Sequence, residues 1–372
     1  MSHIPEVDRP LPERQIIKLE PYPYQYATQA LLDQWKKIPL KELPERRLTP
    51  LRELDLTAEE YGHVLVKDES DRSINQTGTV KDRLGESIVY MYKEFALRRL
   101  GEIESGSLAQ ETALITRPIP RCSDISAGNE AYAIAMASKQ YNLPPLKVLI
   151  GTTTPQVRVQ RLKELPIDLY SVSLAEWLSP KAILILTDNL HGYDLSSLPS
   201  MQRDKWVFFY GAFADEIFDN NPDDIFIPYG SAKAFDDLLT FQVTSFNENQ
   251  HPSNPNLRVN IFGASPVDNP PSKADKLNAS YRYPRFTDID IRAMKQFQQA
   301  TGPETGIYPF KEEYLEKAHR ILNENGIAAE MSATAGLALY MQRIDEIRIQ
   351  GEQPDFSRKT VIVSTGKGIL ED

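Results

Sequence analysis

Residues Asn75 to Arg83 read Asn-Gln-Thr-Gly-Thr-Val-Lys-Asp-Arg, a small polar turn that runs into a stretch of helix formers. Apolar residues from Val80 to Leu97 recur at roughly helical spacing. Lys81 is therefore expected at or just inside a helix start, where partial positive charge and free backbone N–H groups oppose a nearby ammonium. A neutral amine is a nucleophile for carbonyls, and Schiff-base chemistry requires one. Three more turns, each expected at a strand end, offer hydroxyls, an amide or successive backbone N–H groups. They are Ser126-Ala-Gly-Asn129, Gly230-Ser-Ala-Lys233 and Ser364-Thr-Gly-Lys-Gly368. In open α/β sheets ligands bind beyond the carboxyl ends of the strands, so the four turns are candidates for one site.

The elements that must position these turns follow from periodicity and breakers. Short apolar runs at 63–69, 113–116, 146–151, 169–172, 224–228, 259–264 and 360–364 read as strands. Helical patterns cover 24–35, 80–100, 130–141, 156–165, 212–218, 235–241, 312–324 and 332–349. Strands alternating with helices favour parallel α/β sheets. Residues 1–20 read as an extended arm and Ser265–Arg285 as a surface loop, both from their proline and polar content.

Composition narrows the function. The chain has 372 residues, enough for two domains, and a net charge of −10. No dominant basic surface is expected, which argues against a general nucleic-acid or anionic-membrane partner. Cys122 is the single cysteine, so no disulfide forms within one chain, as expected of a reducing compartment. With no signal-peptide pattern and no apolar run near the ~20 residues of a membrane helix, a cytoplasmic location is expected. The five histidines are scattered, so no metal site is expected. Fingerprints for a dinucleotide fold, a phosphate loop and a nucleophile elbow are all missing.

Taken in order, the turns and their neighbours resemble the fold-type-II pyridoxal-phosphate enzymes, the tryptophan-synthase-β family that includes threonine synthase, cysteine synthase and the threonine/serine dehydratases. Over roughly residues 45–372, the matching pieces are Leu48-Thr-Pro-Leu51, Val66-Lys-Asp-Glu69, Gln76-Thr-Gly-Thr-Val-Lys-Asp-Arg83, Ser126-Ala-Gly-Asn129 and Val361-Ile-Val-Ser-Thr-Gly-Lys-Gly368. The resemblance implies two open twisted, mostly parallel sheets flanked by helices, with the cofactor cleft between domains. Residues 1–60 and 190–372 would form the larger domain and 61–189 the smaller. Pyridoxal 5'-phosphate would be the cofactor and Lys81 the Schiff-base and catalytic residue. Asn129 would bond the ring hydroxyl oxygen, Gly230, Ser231, Ala232, Lys233 and Ala234 would cradle the phosphate, and Thr365 (or Ser364) would face the ring nitrogen. Thr79, Ser126, Ala127, Gly128, Asn129 and Glu130 would line the place of a small amino-acid substrate. Relatives of this kind commonly dimerise, so a homodimer is the assembly implied.

The implied activity is that of a lyase or synthase performing β- or γ-elimination or replacement on an amino acid. The ending tilts it toward threonine synthase. The alternatives are β-chemistry on serine or an activated serine, and a non-catalytic relative that binds a ligand or partner. Three departures from the family pattern bear on this. The phosphate turn has one glycine, and Lys233 is expected either to give the phosphate a point charge or to mark a site that binds the cofactor weakly. Glu130 stands where a neutral residue is common, and is expected either to select a cationic substrate group or to point away. The segment Arg117–Asp124 reads as an insertion at the pocket mouth, with Cys122 as a small buried residue.

Overall fold

The computed structural model describes residues 17–18, 29–39, 48–102, 120–126, 128–174, 178–196, 210–231, 233–248, 258–266, 272–277, 298–299, 302 and 304–368. In chain order the first half holds β1 (Ile17–Lys18), α1 (Gln29–Lys36), β2 (Leu51–Leu56), β3 (Gly62–Asp68), α2 (Asp82–Arg99), β4 (Cys122–Ile125), α3 (Asn129–Tyr141), β5 (Leu146–Gly151), α4 (Gln156–Lys163), β6 (Ile167–Val172), α5 (Pro180–Leu186) and β7 (Tyr193–Asp194). The second half holds α6 (Gly211–Phe218), β8 (Asp224–Pro228), α7 (Lys233–Glu248), β9 (Asn260–Pro266), β10 (Thr305–Phe310), α8 (Glu312–Glu324), α9 (Ala335–Ile349) and β11 (Thr360–Ser364).

These strands form two sheets, ordered β1-β6-β5-β4-β7 and β10-β9-β8-β11-β3-β2. Pairing is parallel except at two edges, where β1 meets β6 and β2 meets β3 antiparallel. The architecture is the expected one of two mostly parallel sheets flanked by helices. Both faces of the larger sheet are covered, and its strands show why. Ile225, Ile227, Val361 and Val363 pack on one side with Phe213, Phe218 and Leu238. Their alternates Phe226 and Ile362 pack on the other with Leu315, Leu337 and Met341. Period-two alternation between two buried faces leaves nearly continuous apolar runs, which is how a parallel strand reads in sequence.

The expected domain boundaries fall after residues 60 and 189. By sheet membership β3 belongs to the six-stranded sheet, while β1 and β7 belong to the five-stranded one. The supposed insertion is in part a strand, since β4 pairs with β5 and β7 inside the smaller sheet. Cys122 is buried there as expected. The polar stretch after β9 is not simply surface either: Ala274 is fully buried, and Asp275 to Leu277 line a cavity. The strand expected at 113–116 and most of the extended arm lie outside the described residues. Among the described residues no helix is long and apolar enough to cross a membrane.

Candidate active site

Lys81 stands directly before α2, with a helical backbone. The turn ahead of it is fastened to the end of the chain. Val80 N–H donates to the Thr365 carbonyl at 3.0 Å, Lys367 N–H to Gly78 at 2.9 Å, and Glu69 N–H to Ser364 at 3.1 Å. Gly366 makes this approach possible. At its φ of +106° a Cβ would sit 2.2 Å from the Gly78 carbonyl oxygen, so only glycine fits. Beneath α2 lies a buried ionic network. Arg83 donates to Glu69 through Nε and Nη2 at 2.9 Å each, to Glu216 through Nη1 and Nη2 at 2.8 Å each, and to Thr49 Oγ1 at 2.9 Å. Lys67 Nζ completes it, donating to Glu216 at 2.5 Å and to the Thr49 carbonyl at 2.7 Å. Thr49, Lys67, Glu69 and Arg83, all from the matching motif pieces, thus act with Glu216 as the seat of the Lys81 helix.

The turns converge on a cavity of about 390 Å³. Of the expected site residues, Thr79, Lys81, Ser126, Gly128, Asn129, Glu130, Gly230, Ser231, Ala234 and Thr365 line it. Ala127 and Ala232 lie outside the described residues. Lys81 Nζ donates to Glu130 Oε2 at 2.8 Å and to Ser231 Oγ at 2.9 Å. Lys233, at the first position of α7, is buried and turns its amine onto Glu130 Oε1. The expected point charge for a phosphate is thus engaged by a neighbouring carboxylate. Glu130 corrects the other expectation: it neither points away nor offers an unshared carboxylate to a substrate, because two lysines hold it. Burial alone would raise its carboxyl, but Lys233 and Lys81 outweigh burial and hold it far below the ordinary carboxylate range. Its carboxylate beside the Lys81 amine also acts opposite in sign to the helix-start effect.

Sequence reasoning missed four charged residues of this cavity. Glu330 accepts from Asn129 Nδ2 at 3.3 Å and from Lys276 Nζ. Arg158 on α4 reaches Asp275 at 3.3 Å across the cleft. Lys276 and Asp275 fall in a proline-rich polar stretch and Arg158 on an ordinary polar helix, so nothing local marked them. Glu330 carried one signal, a lone acid between two alanines and an apolar helix. Behind Glu130, Ser196 Oγ donates to Asp124 at 3.1 Å and Ser196 N–H to Asp194 at 3.0 Å. Burial, with Glu130 adding to it, raises Asp124 to about 6. Burial, offset in part by the Ser196 backbone bond, raises Asp194 to about 7.

The donor set fits pyridoxal phosphate. Lys81, Asn129, Thr365 and the Gly230–Ser231 turn ahead of α7 all line one space, which brings together an amine, an amide, a hydroxyl residue and backbone N–H groups. Gly128 lines it too, and among the described residues beyond its chain neighbours nothing lies within 4 Å of where a Cβ would be. Its size is within the usual range for small-molecule sites.

No curated protein sequence matches the chain. Solved structures do. Diaminopropionate ammonia lyase of Escherichia coli is 15% identical, with 95% of this chain and 93% of that chain covered at a TM-score of 0.57. It has also been solved with an aminoacrylate-PLP azomethine reaction intermediate. O-acetylserine sulfhydrylase isoform 3 of Entamoeba histolytica is 16% identical, with 89% of each chain covered and a TM-score of 0.56. An L-serine ammonia-lyase of Rhizomucor miehei is 15% identical, covering 86% of this chain and 93% of that one, with a TM-score of 0.54. At such identities these similarities carry the fold. Residues 43–366 match the pyridoxal-phosphate dependent enzymes, and the chain belongs to that family, with pyridoxal phosphate as its cofactor.

Proposed function

We propose that this protein catalyses β-elimination or β-replacement on a small β-substituted amino acid, with Lys81 as the residue that holds the cofactor and moves the α-proton. The observation that carries the reading is the position of the Lys81 amine, between Glu130 and Ser231 in a cavity that Ser126, Gly128 and Asn129 also line. When bound, the cofactor supplies a conjugated electron sink for the α-carbon. Ser126 Oγ already accepts from the N–H groups of Gly128 at 3.4 Å and Ala131 at 3.3 Å. Its own hydrogen remains to donate to a substrate carboxylate, at a helix start that favours an anion. Asn129 would serve the ring hydroxyl oxygen, and Gly230 and Ser231, in the turn ahead of α7, would serve the phosphate with backbone N–H groups. Thr365 would offer a hydroxyl to the ring nitrogen, a partner that would leave that nitrogen largely unprotonated and suit elimination and replacement over transamination.

The charges in the cavity favour β-chemistry over the threonine-synthase-like γ-replacement of a phosphorylated substrate. Lys81, Arg158 and Lys276 each face a carboxylate, on Glu130, Asp275 and Glu330. A second phosphate beside the cofactor's own would meet cations already paired. The names of the similar structures, which include lyases and a sulfhydrylase acting on three-carbon amino acids, support the same reading. The test is spectroscopic. Purified protein with added cofactor is expected to show a visible absorption band that Lys81→Ala abolishes. Serine, O-acetylserine and diaminopropionate are then screened for shifts in that band. A band that persists in Lys81→Ala would sink the assignment of Lys81. A protein that stays colourless would favour a non-catalytic ligand binder.

A further inference from the structure

The cavity contains a feature that the proposed chemistry does not use: one buried carboxylate shared by two lysines. Glu130 takes Lys81 on Oε2 and Lys233 on Oε1. Its carboxylate side chain is 9% exposed and that of Lys233 3%, so solvent screens this arrangement little. The other groups facing it are Ser231 Oγ from the phosphate turn, Asp124 from β4 with Asp194 behind it, and the Tyr210 ring, whose centroid lies 5.8 Å from Lys81 Nζ.

We propose that Glu130 is a positioning residue that sets how readily the Lys81 amine condenses with the cofactor's aldehyde, by dividing its charge between Lys81 and Lys233. The proposal rests on the assignment of Lys81 above. Condensation requires the ammonium to lose its proton to water. The amine lone pair then forms a bond to the aldehyde carbon, and the carbonyl oxygen leaves as water with two further protons. While Lys81 is an ammonium, Glu130 stabilises it. Once the charge on Lys81 is gone, Glu130 must be satisfied elsewhere, and Lys233 is already in place to do so. Lys233 therefore lowers the cost of releasing Lys81. Without it, Glu130 would hold Lys81 alone.

Two substitutions should therefore act in opposite directions. Glu130→Gln removes the group that stabilises the ammonium, and is expected to speed condensation near neutral pH by about tenfold. Lys233→Met leaves the carboxylate to Lys81 alone, and is expected to slow it by a similar factor. The double variant carries neither charge and is expected to fall between the single variants. The readout is the rate at which the visible band appears after mixing apoprotein with excess pyridoxal phosphate, followed from pH 6 to 9. Pyridoxal, which lacks the phosphate, is run in parallel so that a change in phosphate attraction is separated from a change at the amine. Opposite single-variant effects with both aldehydes support the proposal. Slowing in both single variants with further slowing in the double, or no change in any, overturns it, since a purely structural role predicts the first and an idle ion pair the second. Lys81→Ala serves as the separate control. A band there defeats the assignment of Lys81, whatever the Glu130 variants do.

Discussion

Arg83→Lys tests whether the motif residues around Lys81 are there for architecture. The substitution keeps a positive charge and removes the planar fork. Arg83 serves two buried carboxylates and a hydroxyl with five hydrogen bonds between 2.8 and 2.9 Å. A lysine amine has three donors on one point and cannot engage Glu69 and Glu216 in the same paired way. At least two charge-assisted bonds would be lost, each worth ~1.5–3 kcal/mol. That gives a destabilisation of about 3–6 kcal/mol, close to the ~3–5 kcal/mol seen when one member of a buried ion pair is removed. Against a typical total of ~5–15 kcal/mol this is a large fraction. Urea unfolding at neutral pH measures it, as a lower midpoint with an unchanged slope. Because Arg83 lies two residues beyond Lys81, the folded fraction is also expected to bind cofactor more weakly. A loss below ~1 kcal/mol with normal cofactor binding would refute the view that this network seats the helix.

Gly366→Ala should cost at least ~2 kcal/mol and reduce the cofactor band, because its Cβ must displace the Gly78 carbonyl or the Thr79 backbone. An unchanged unfolding midpoint would refute the close approach of the two turns. For Asp194 the prediction concerns pH. A carboxyl raised in the folded state contributes stability that is complete below its unfolded value, near ~3.9, and is lost as pH rises through the folded value. With Asp124 at about 6 and Asp194 at about 7, the native protein loses stability across roughly pH 4 to 7. Asp194→Asn stays neutral, so it should gain on the wild type between pH 5 and pH 8 in urea unfolding. A constant difference at the two pH values would count against the buried acid pair.

Elements were readable where a single face or a long pattern decided them. The helix at Glu312–Glu324 and the strand at Leu146–Gly151 lie where the periodicity put them. Other elements were decided by partners distant in sequence. Cys122-Ser-Asp-Ile has no apolar alternation, and its burial comes from β5 and β7 on either side. Thr305–Phe310 contains a glycine and a proline, which suit an edge strand and disguise one. Leu51–Leu56 does alternate, burying Leu54 and Leu56 while Glu53 and Asp55 face solvent, but it follows a proline-bearing connection that reads as loop. In the site, the turns could be found because their chemistry is local. The pairings among Glu130, Lys233, Glu330 and Lys276 could not, because each joins residues more than fifty positions apart.

Those pairings decide how the departures from the family pattern are to be understood. A carboxylate buried at position 130 without a cation would be destabilising by several kcal/mol, and so would a lysine buried at position 233 without an anion. Each change alone looks like damage to a cofactor site. In the folded protein each is the other's counter-ion, and the third partner is Lys81 itself. Loss of function by drift predicts uncompensated charges scattered around a former site. Here the two unusual residues form one compensated unit placed against the reactive amine. Together with a cavity that still gathers Asn129 and Thr365, this favours an enzyme with altered control of its lysine over a relative that has abandoned the chemistry.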